Sequence, residues 1–270
     1  MRLKAYTPFT SAGIQSAIAY KWNFLGFFFG QIFFTFVMFF LWRSVFRHTP
    51  GGIIGGFTFL DMTIYIFVAN ITGFLADTDA SYVVGEEIVQ GSISMRLIKP
   101  VSFNLSILFT ELGQKLIIII LVAIPVFFGL EWFRFSQSGQ IEFSLATFAL
   151  YLVSVTLSYL VMFFFDVCFG YLAFIFKNLW GINMLKFGVL NFLSGGMVPL
   201  GLLPMAIQRA LTVLPFASMR YTPVMIYTGK YQGLMILSAL GTQILWVLLL
   251  YGLSSLIWKL TERHLTIQGG

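Results

Sequence analysis

FLGFFFGQIFFTFVMFFLW, residues Phe24 to Trp42, is the stretch that decides the fold. It carries no charge, is apolar on every side, and is bracketed by Lys21 ahead and by Arg43 and Arg47 behind. A helix that is hydrophobic all round has no face for water, and cations at both ends suit lipid headgroups. A hydrocarbon core about 30 Å thick takes roughly 20 helical residues to cross, so this is the first expected span.

The rest of the chain repeats the pattern. Of 270 residues, 59% are hydrophobic, 18% aromatic and 10% charged, with 32 Phe, 11 Met and a mean hydropathy of +0.90. A soluble domain carries about 25% charged residues and has nowhere to bury this much apolar surface, which excludes a soluble enzyme and a disordered chain. The single Cys168 rules out a disulfide framework, and two histidines, His48 and His264, make a poor metal site. The net charge is +6, but Lys and Arg stand singly at the ends of apolar runs rather than in a patch. That distribution fits a membrane interface and not nucleic acid.

Five further runs follow. Phe57 to Ala76 is the second expected span, with Asp61 near its start; Phe103 to Leu130, containing LIIIILVAIPVFFGL, is the third. Phe143 to Phe176 is the fourth, Met184 to Leu203 the fifth, and Gly233 to Trp258 the sixth. Ser194, Gly195, Gly196 and Pro199 predict a sharp bend near the end of the fifth. Between Pro204 and Tyr231 the prolines and arginines stand too close for an ordinary span, so short re-entrant or interfacial helices are expected there. Residues 1–21 lack the compact apolar core of a signal peptide and fit a helix lying on the membrane surface, with Phe9, Ile14, Ala17 and Ile18 toward lipid. The expected fold is therefore a single all-α membrane domain over residues 1–270, with six transmembrane helices. Six spans put both termini on one side. The larger set of Lys and Arg (Arg2, Lys4, Lys21, Arg96, Lys99, Lys177, Lys259 and Arg263) makes that side cytosolic. Facing it outside are Arg43, Arg47, Arg134, Arg209, Arg220 and Lys230.

On that topology the cytosolic connection is DTDASYVVGEEIVQGSISMRLIKP, residues 77–100. A helix over Ser81 to Gln90, ended by Gly91, places Val84 and Ile88 on one side and Glu86, Glu87 and Gln90 on another. Two amphipathic pieces where a few polar residues would connect the spans suit docking on a partner protein, with lipid contact as the alternative.

These residues also resemble a known family. The string EEIVQGSISMRLIKPVSF is similar to the segment after the second span in ABC-2 type exporter permeases, matching at Glu87, Ile88, Gly91, Ile93, Ser94, Leu97 and Pro100. SGGMVPLGLLP, then LPF, then YTPVMIYTGK resemble the stretch before that family's last span, through Ser194, Gly195, Pro199, Pro204, Leu214, Pro215, Phe216, Tyr221, Pro223 and Gly229. The opening AYKWNFLG and LWRSVF fit as well, so the likeness covers nearly the whole chain. The resemblance implies an ATP-driven exporter permease in a bacterial inner membrane. It implies a cytosolic coupling segment at Glu86, Glu87, Gln90, Gly91, Ile93, Ser94, Leu97 and Pro100, and a gate region at Gly195, Gly196, Pro199, Pro204, Pro215, Tyr221 and Pro223. It further implies two ABC ATPase subunits that carry ATP and Mg, and a second permease chain, identical or related. The chain itself holds no phosphate-binding loop: TGK at Thr228 to Lys230 lacks the glycine spacing.

A charge at the bilayer centre costs at least about 2.5 kcal/mol, so each intramembrane ionisable group needs an account. Glu111 and Lys115, four apart on one helix, are expected to form an ion pair, with gating or substrate access as the functional alternative. Asp166 has no partner within reach along its own helix and is placed at the cytosolic interface, or otherwise facing the subunit interface or cavity. Asn70, Asn183 and Asn191 are read as interhelical hydrogen-bond formers. The aromatic excess is read as span filler, with Trp22, Trp42, Trp132, Trp180 and Trp258 as interface anchors, rather than as a cation-stacking site. No hydrolytic arrangement is visible. The function expected is efflux of an amphiphile such as a drug, peptide or lipid. An ion-gradient carrier, which needs paired broken helices in related halves, and a non-transporting scaffold are the rivals.

Overall fold

The structure, a computed structural model, describes residues 3–93, 101–139, 144–176 and 178–262. Ser94, Leu97 and Pro100 of the expected coupling set lie outside the described residues. Among the described residues the fold is helical, with an isolated bridge between Ile54 and Phe57. Five stretches are long and apolar enough to cross a membrane: Phe28–Arg47, Phe59–Val89, Phe103–Gln137, Leu145–Phe174 and Leu234–Leu260.

Helix α1 (Thr7–Ala19) leads into α2 (Lys21–Arg47), the first expected span. Helix α3 (Phe59–Ala76) opens with a capping box: Thr58 Oγ1 accepts from the Asp61 amide at 3.1 Å, and Asp61 accepts from the Thr58 amide at 3.0 Å. The carboxylate that interrupts the apolar run is thus the helix's own start signal. Helix α4 (Ala80–Val89) follows after three residues and stops at Gly91, whose φ of +71° is a left-handed turn that favours glycine. Helices α5 (Phe103–Ile118) and α6 (Ile124–Ser138) are one continuous rod joined by a π-helical turn at Ile119–Ala123. Pro125 explains that turn. It has no amide proton, and its ring clashes with the carbonyl four residues back, a conflict that a widened turn absorbs.

Helix α7 (Leu145–Gly170) continues into a 3-10 turn at Tyr171–Phe174. The fifth expected span, Met184 to Leu203, is where structure and expectation differ. Helix α8 (Trp180–Leu193) has 14 residues, about 21 Å at 1.5 Å per residue, which is short of a bilayer core. The chain leaves it at the predicted bend, where Gly195 adopts φ +81°. Three short helices follow, α9 (Met205–Val213), α10 (Pro215–Met219) and α11 (Tyr221–Tyr227), before the long α12 (Leu234–Glu262).

Helix α3 with α4 is the most enclosed stretch of the bundle, and α2 and α12 are the least. One apolar cluster gathers Met62, Tyr65, Leu130, Tyr151 and Val224, and a second gathers Val84, Ile107, Phe163, Val167 and Leu250. Helix α1 does more than cover lipid: it crosses α5 so closely that a Cβ on Gly13 would stand 1.9 Å from the Thr110 carbonyl oxygen, and one on Gly113 2.1 Å from that of Thr10. Two of the five interface tryptophans are packed instead. Trp42 is buried beside Phe46, and Trp258 stacks on Phe103 at 4.8 Å.

Candidate functional site

The site is built on the three residues that turn α3 into α4, Asp77, Thr78 and Asp79. A chain leaving a helix has carbonyls and amides to satisfy, and in a membrane domain protein groups must meet them. Thr78 Oγ1 donates to both oxygens of Glu111 at 2.8 and 2.7 Å and accepts from the Ala80 amide at 3.1 Å. The Asp79 amide donates to Glu111 at 3.2 Å, and the Tyr159 hydroxyl donates to its other oxygen at 3.2 Å. Lys115 Nζ donates to the carbonyls of Phe74, at 3.3 Å, and Asp77. The expected Glu111–Lys115 ion pair is therefore corrected. The two charges lie on one face and attract each other through space, but neither bonds the other: Glu111 is held by Thr78, the Asp79 amide and Tyr159, and Lys115 by the carbonyls of Phe74 and Asp77.

Asp166 finds its partner on another helix. It is 0% exposed and ion-paired to Lys186 Nζ at 2.8 Å, across from α7 to α8. Ser81, in the first turn of α4, accepts from Lys186 at 2.6 Å and lies 2.8 Å from Asn183 Oδ1 and 3.3 Å from Asp166. Helix α4 is thereby tied to two other helices by one hydroxyl. The approach is close on the same side: a Cβ on Gly170 would come within 2.7 Å of Val84, and one on Gly85 within 2.6 Å of Leu179. What remains outward on α4 is Tyr82, Glu86, Val89 and Gln90, with Gln90 Nε2 donating to Glu86 at 2.8 Å. Glu87 is half-buried and Ile93 is buried.

Arg220, between α10 and α11, is the residue that sequence reasoning assigned to the outer loops. It ion-pairs with Asp77 and donates to Asn191 Oδ1 at 2.6 Å. Its guanidinium passes Gly73 and Gly196, where added Cβ atoms would come within 3.1 and 2.7 Å of it. This gives Gly196 a steric reason to be glycine. The signal available was a lone arginine in the apolar string LPFASMRYTPVM, which has to find an anion. Asn183 and Asn191 make interhelical bonds as expected, whereas Asn70 makes none.

The other expected gate residues surround the short helices at the opposite end of α3. Tyr65 donates to the Gly195 carbonyl at 2.6 Å, and its ring lies 6.4 Å from that of Tyr221. Pro199 and Pro215 are buried, Pro204 precedes α9, and Pro223 is buried in the first turn of α11. Lys230 pairs with Asp61 at 3.3 Å, and Tyr227 donates to Glu131, which also pairs with Arg134 at 3.1 Å. Beside the joint lies a cavity of about 280 Å³ bordered by α2, α3, α5 and Arg220. Among the described residues no group of His, Cys, Asp and Glu is arranged to hold a metal.

Membrane-length helices around charges matched inside the bundle define a multi-pass membrane protein. Comparison of the sequence with family profiles then narrows the class: that of the ABC-2 family transporter proteins matches residues 32–269. The chain belongs to this family and is a membrane permease of ABC transporter type, a non-catalytic component of the kind that associates with an ABC ATPase subunit. No curated protein matches it.

Proposed function

We propose that the protein is the permease of an exporter that moves an amphiphile out across a bacterial inner membrane, with both termini cytosolic, the α4 end of the bundle facing the cytosol, and α8 together with the short helices after it making a broken sixth crossing beside the five membrane-length stretches. Two ATPase subunits carry ATP and Mg, and two permease chains, identical or related, flank the path. The observation that carries this reading is helix α4. Its buried side is fastened by Ser81 to Asp166, Lys186 and Asn183, while Tyr82, Glu86, Val89 and Gln90 are presented outward. A helix locked into the bundle on one side and free on the other transmits a push.

In this reading the coupling set is Glu86, Glu87, Gln90, Gly91, Ile93, Ser94, Leu97 and Pro100. The gate set is Gly195, Gly196, Pro199, Pro204, Pro215, Tyr221 and Pro223, moved through the Asp77–Arg220 pair.

Purification of the tagged chain from its host in mild detergent, followed by mass spectrometry, tests the assembly. A stoichiometric ATPase with a phosphate-binding loop is expected, and a second permease beside it identifies a heteromeric pair. A chain that emerges alone and stable under several mild conditions overturns the proposal. Within the assembled complex, Gly91→Val forces a branched side chain into a left-handed turn, at a cost of about 1–2 kcal/mol. ATP turnover is expected to continue while transport falls; coupling that is unchanged removes α4 from the mechanism.

A further inference from the structure

The α3–α4 joint leaves polar groups over after its own bonds are made, and they converge on the cavity. Asp79 precedes α4 at the N-cap, where an aspartate ordinarily accepts from an amide of the first turn. Here its carboxylate caps nothing and takes no hydrogen bond or ion pair; Thr78 meets the Ala80 amide instead. Gln31 of α2, Asn70 of α3 and Gln114 of α5 line the same space, and none of their carboxamides is hydrogen-bonded. Lys115 donates to two carbonyls and stands over the Tyr159 ring at 5.3 Å; an ammonium has three protons, so one is left without a hydrogen-bond acceptor.

The remaining wall is apolar, with Phe74 and Ile118, and Phe28 of α2 packs on Phe74 at 5.8 Å. Helix α2 is among the least enclosed helices, so this side of the cavity is the thinly covered one, where an amphiphile's chains would meet the bilayer. Ligand pockets run from about 300 to 1,000 Å³. At about 280 Å³ the space suits a headgroup and not a whole lipid.

The geometry points to this cavity as the binding site for a zwitterionic headgroup, an ammonium paired with a phosphate or carboxylate, borne by an amphiphile whose chains stay in the bilayer. Asp79 receives the ammonium, Lys115 the anion, and the three carboxamides the remaining polar atoms. A purely anionic headgroup meets the unpaired Asp79, a purely cationic one meets Lys115, and an uncharged one leaves both without a partner. The inference rests on the permease reading and names the substrate class.

The test is native mass spectrometry of the purified chain, with whatever copurifies, in micelles holding equal amounts of phosphatidylethanolamine, phosphatidylglycerol and diacylglycerol of matched chains. Phosphatidylethanolamine is expected to be retained about tenfold over either rival, the effect of one charge-assisted hydrogen bond. Asp79→Asn is expected to remove the preference while leaving the melting temperature close to that of the parent, because the carboxylate makes no hydrogen bond or close ion pair in the fold and acts on Lys115 only through space. Asn70→Leu, at a second unbonded position, weakens retention in the same direction. Equal retention of the three lipids, a preference for phosphatidylglycerol, or a preference that survives Asp79→Asn overturns the inference. Displacement by soluble O-phosphoethanolamine supports a free headgroup as ligand, and retention against it supports the lipid-borne form. A copurifying ATPase without lipid preference removes this inference and leaves the permease reading. A lipid preference in a chain that brings down no ATPase keeps the headgroup site but removes the exporter assembly, and with it the headgroup's standing as substrate.

Discussion

Lys186 and Asp166 bury opposite charges 2.8 Å apart, with side-chain exposures of 8% and 0%. Such a pair adds little over a well-packed apolar pair, yet removing one partner strands the other and costs about 3–5 kcal/mol. Lys186→Met is therefore expected to lower the thermal unfolding midpoint sharply. Asp166→Asn joined to Lys186→Met recovers most of the loss, and a double-mutant cycle in detergent measures the coupling. Additive losses would deny the pair. Asn183 Nδ2 beside it is buried with no partner, so Asn183→Asp, which exchanges an unmet donor for a charge near Lys186, is a stringent second probe of the same locus. The sequence marked Asp166 as a charge needing an account but did not supply its partner. Helical spacing finds neighbours along one helix, and Lys186 stands on the next, beyond a turn. The same blindness split Glu111 from Lys115: four-residue spacing puts two side chains on one face, but the carbonyls and amides of another element then compete for them.

Among the helices, the contact of α1 with α5 reverses an ordinary rule. Glycine inside a helix is destabilising by roughly 0.5–1 kcal/mol against alanine, so Gly13→Ala considered on α1 alone strengthens it. In the folded chain the added carbon falls 1.9 Å from the Thr110 carbonyl oxygen, and the helices have to part. Faster hydrogen exchange throughout residues 7–19 of Gly13→Ala is the expected result, and unchanged exchange would mean that the crossing is loose. The spans were legible because long uncharged runs have no soluble alternative, and the end of α4 was legible in Gly91. The docking of α1 was not, since a glycine reads as a weak helix former until its partner, Gly113, is known to face it. Nor was the shortness of α8: hydropathy continues through Met197 and Val198, while the backbone has already turned at Gly195.

At the scale of the whole molecule, one set of polar contacts runs from α4 through the joint to the short helices. Ser81 ties α4 to α7 and α8; two residues earlier the joint is held by Glu111 and Lys115; and Asp77 reaches Arg220 at the α10–α11 junction. In the proposed mechanism, a push on α4 is passed to the short helices along these contacts. Arg220→Gln in the assembled complex is expected to keep ATPase association while reducing the transport achieved per ATP. The exchange Asp77→Arg with Arg220→Asp is expected to restore part of it, measured in proteoliposomes; a fully active Arg220→Gln protein would dismiss the link. The widened turn at Ile119–Ala123 sets the phase of this arrangement. Each helical residue advances the side-chain direction by about 100°, so the additional residue in the loop of chain there is a fixed rotational offset between the two halves of one rod. The half carrying Glu111 and Lys115 aims at the joint because of it, and the half carrying Glu131 aims at Tyr227. A chain shortened by one residue in that turn and freed of Pro125 would still make an unbroken helix of membrane length, with one of its two grips pointed into lipid.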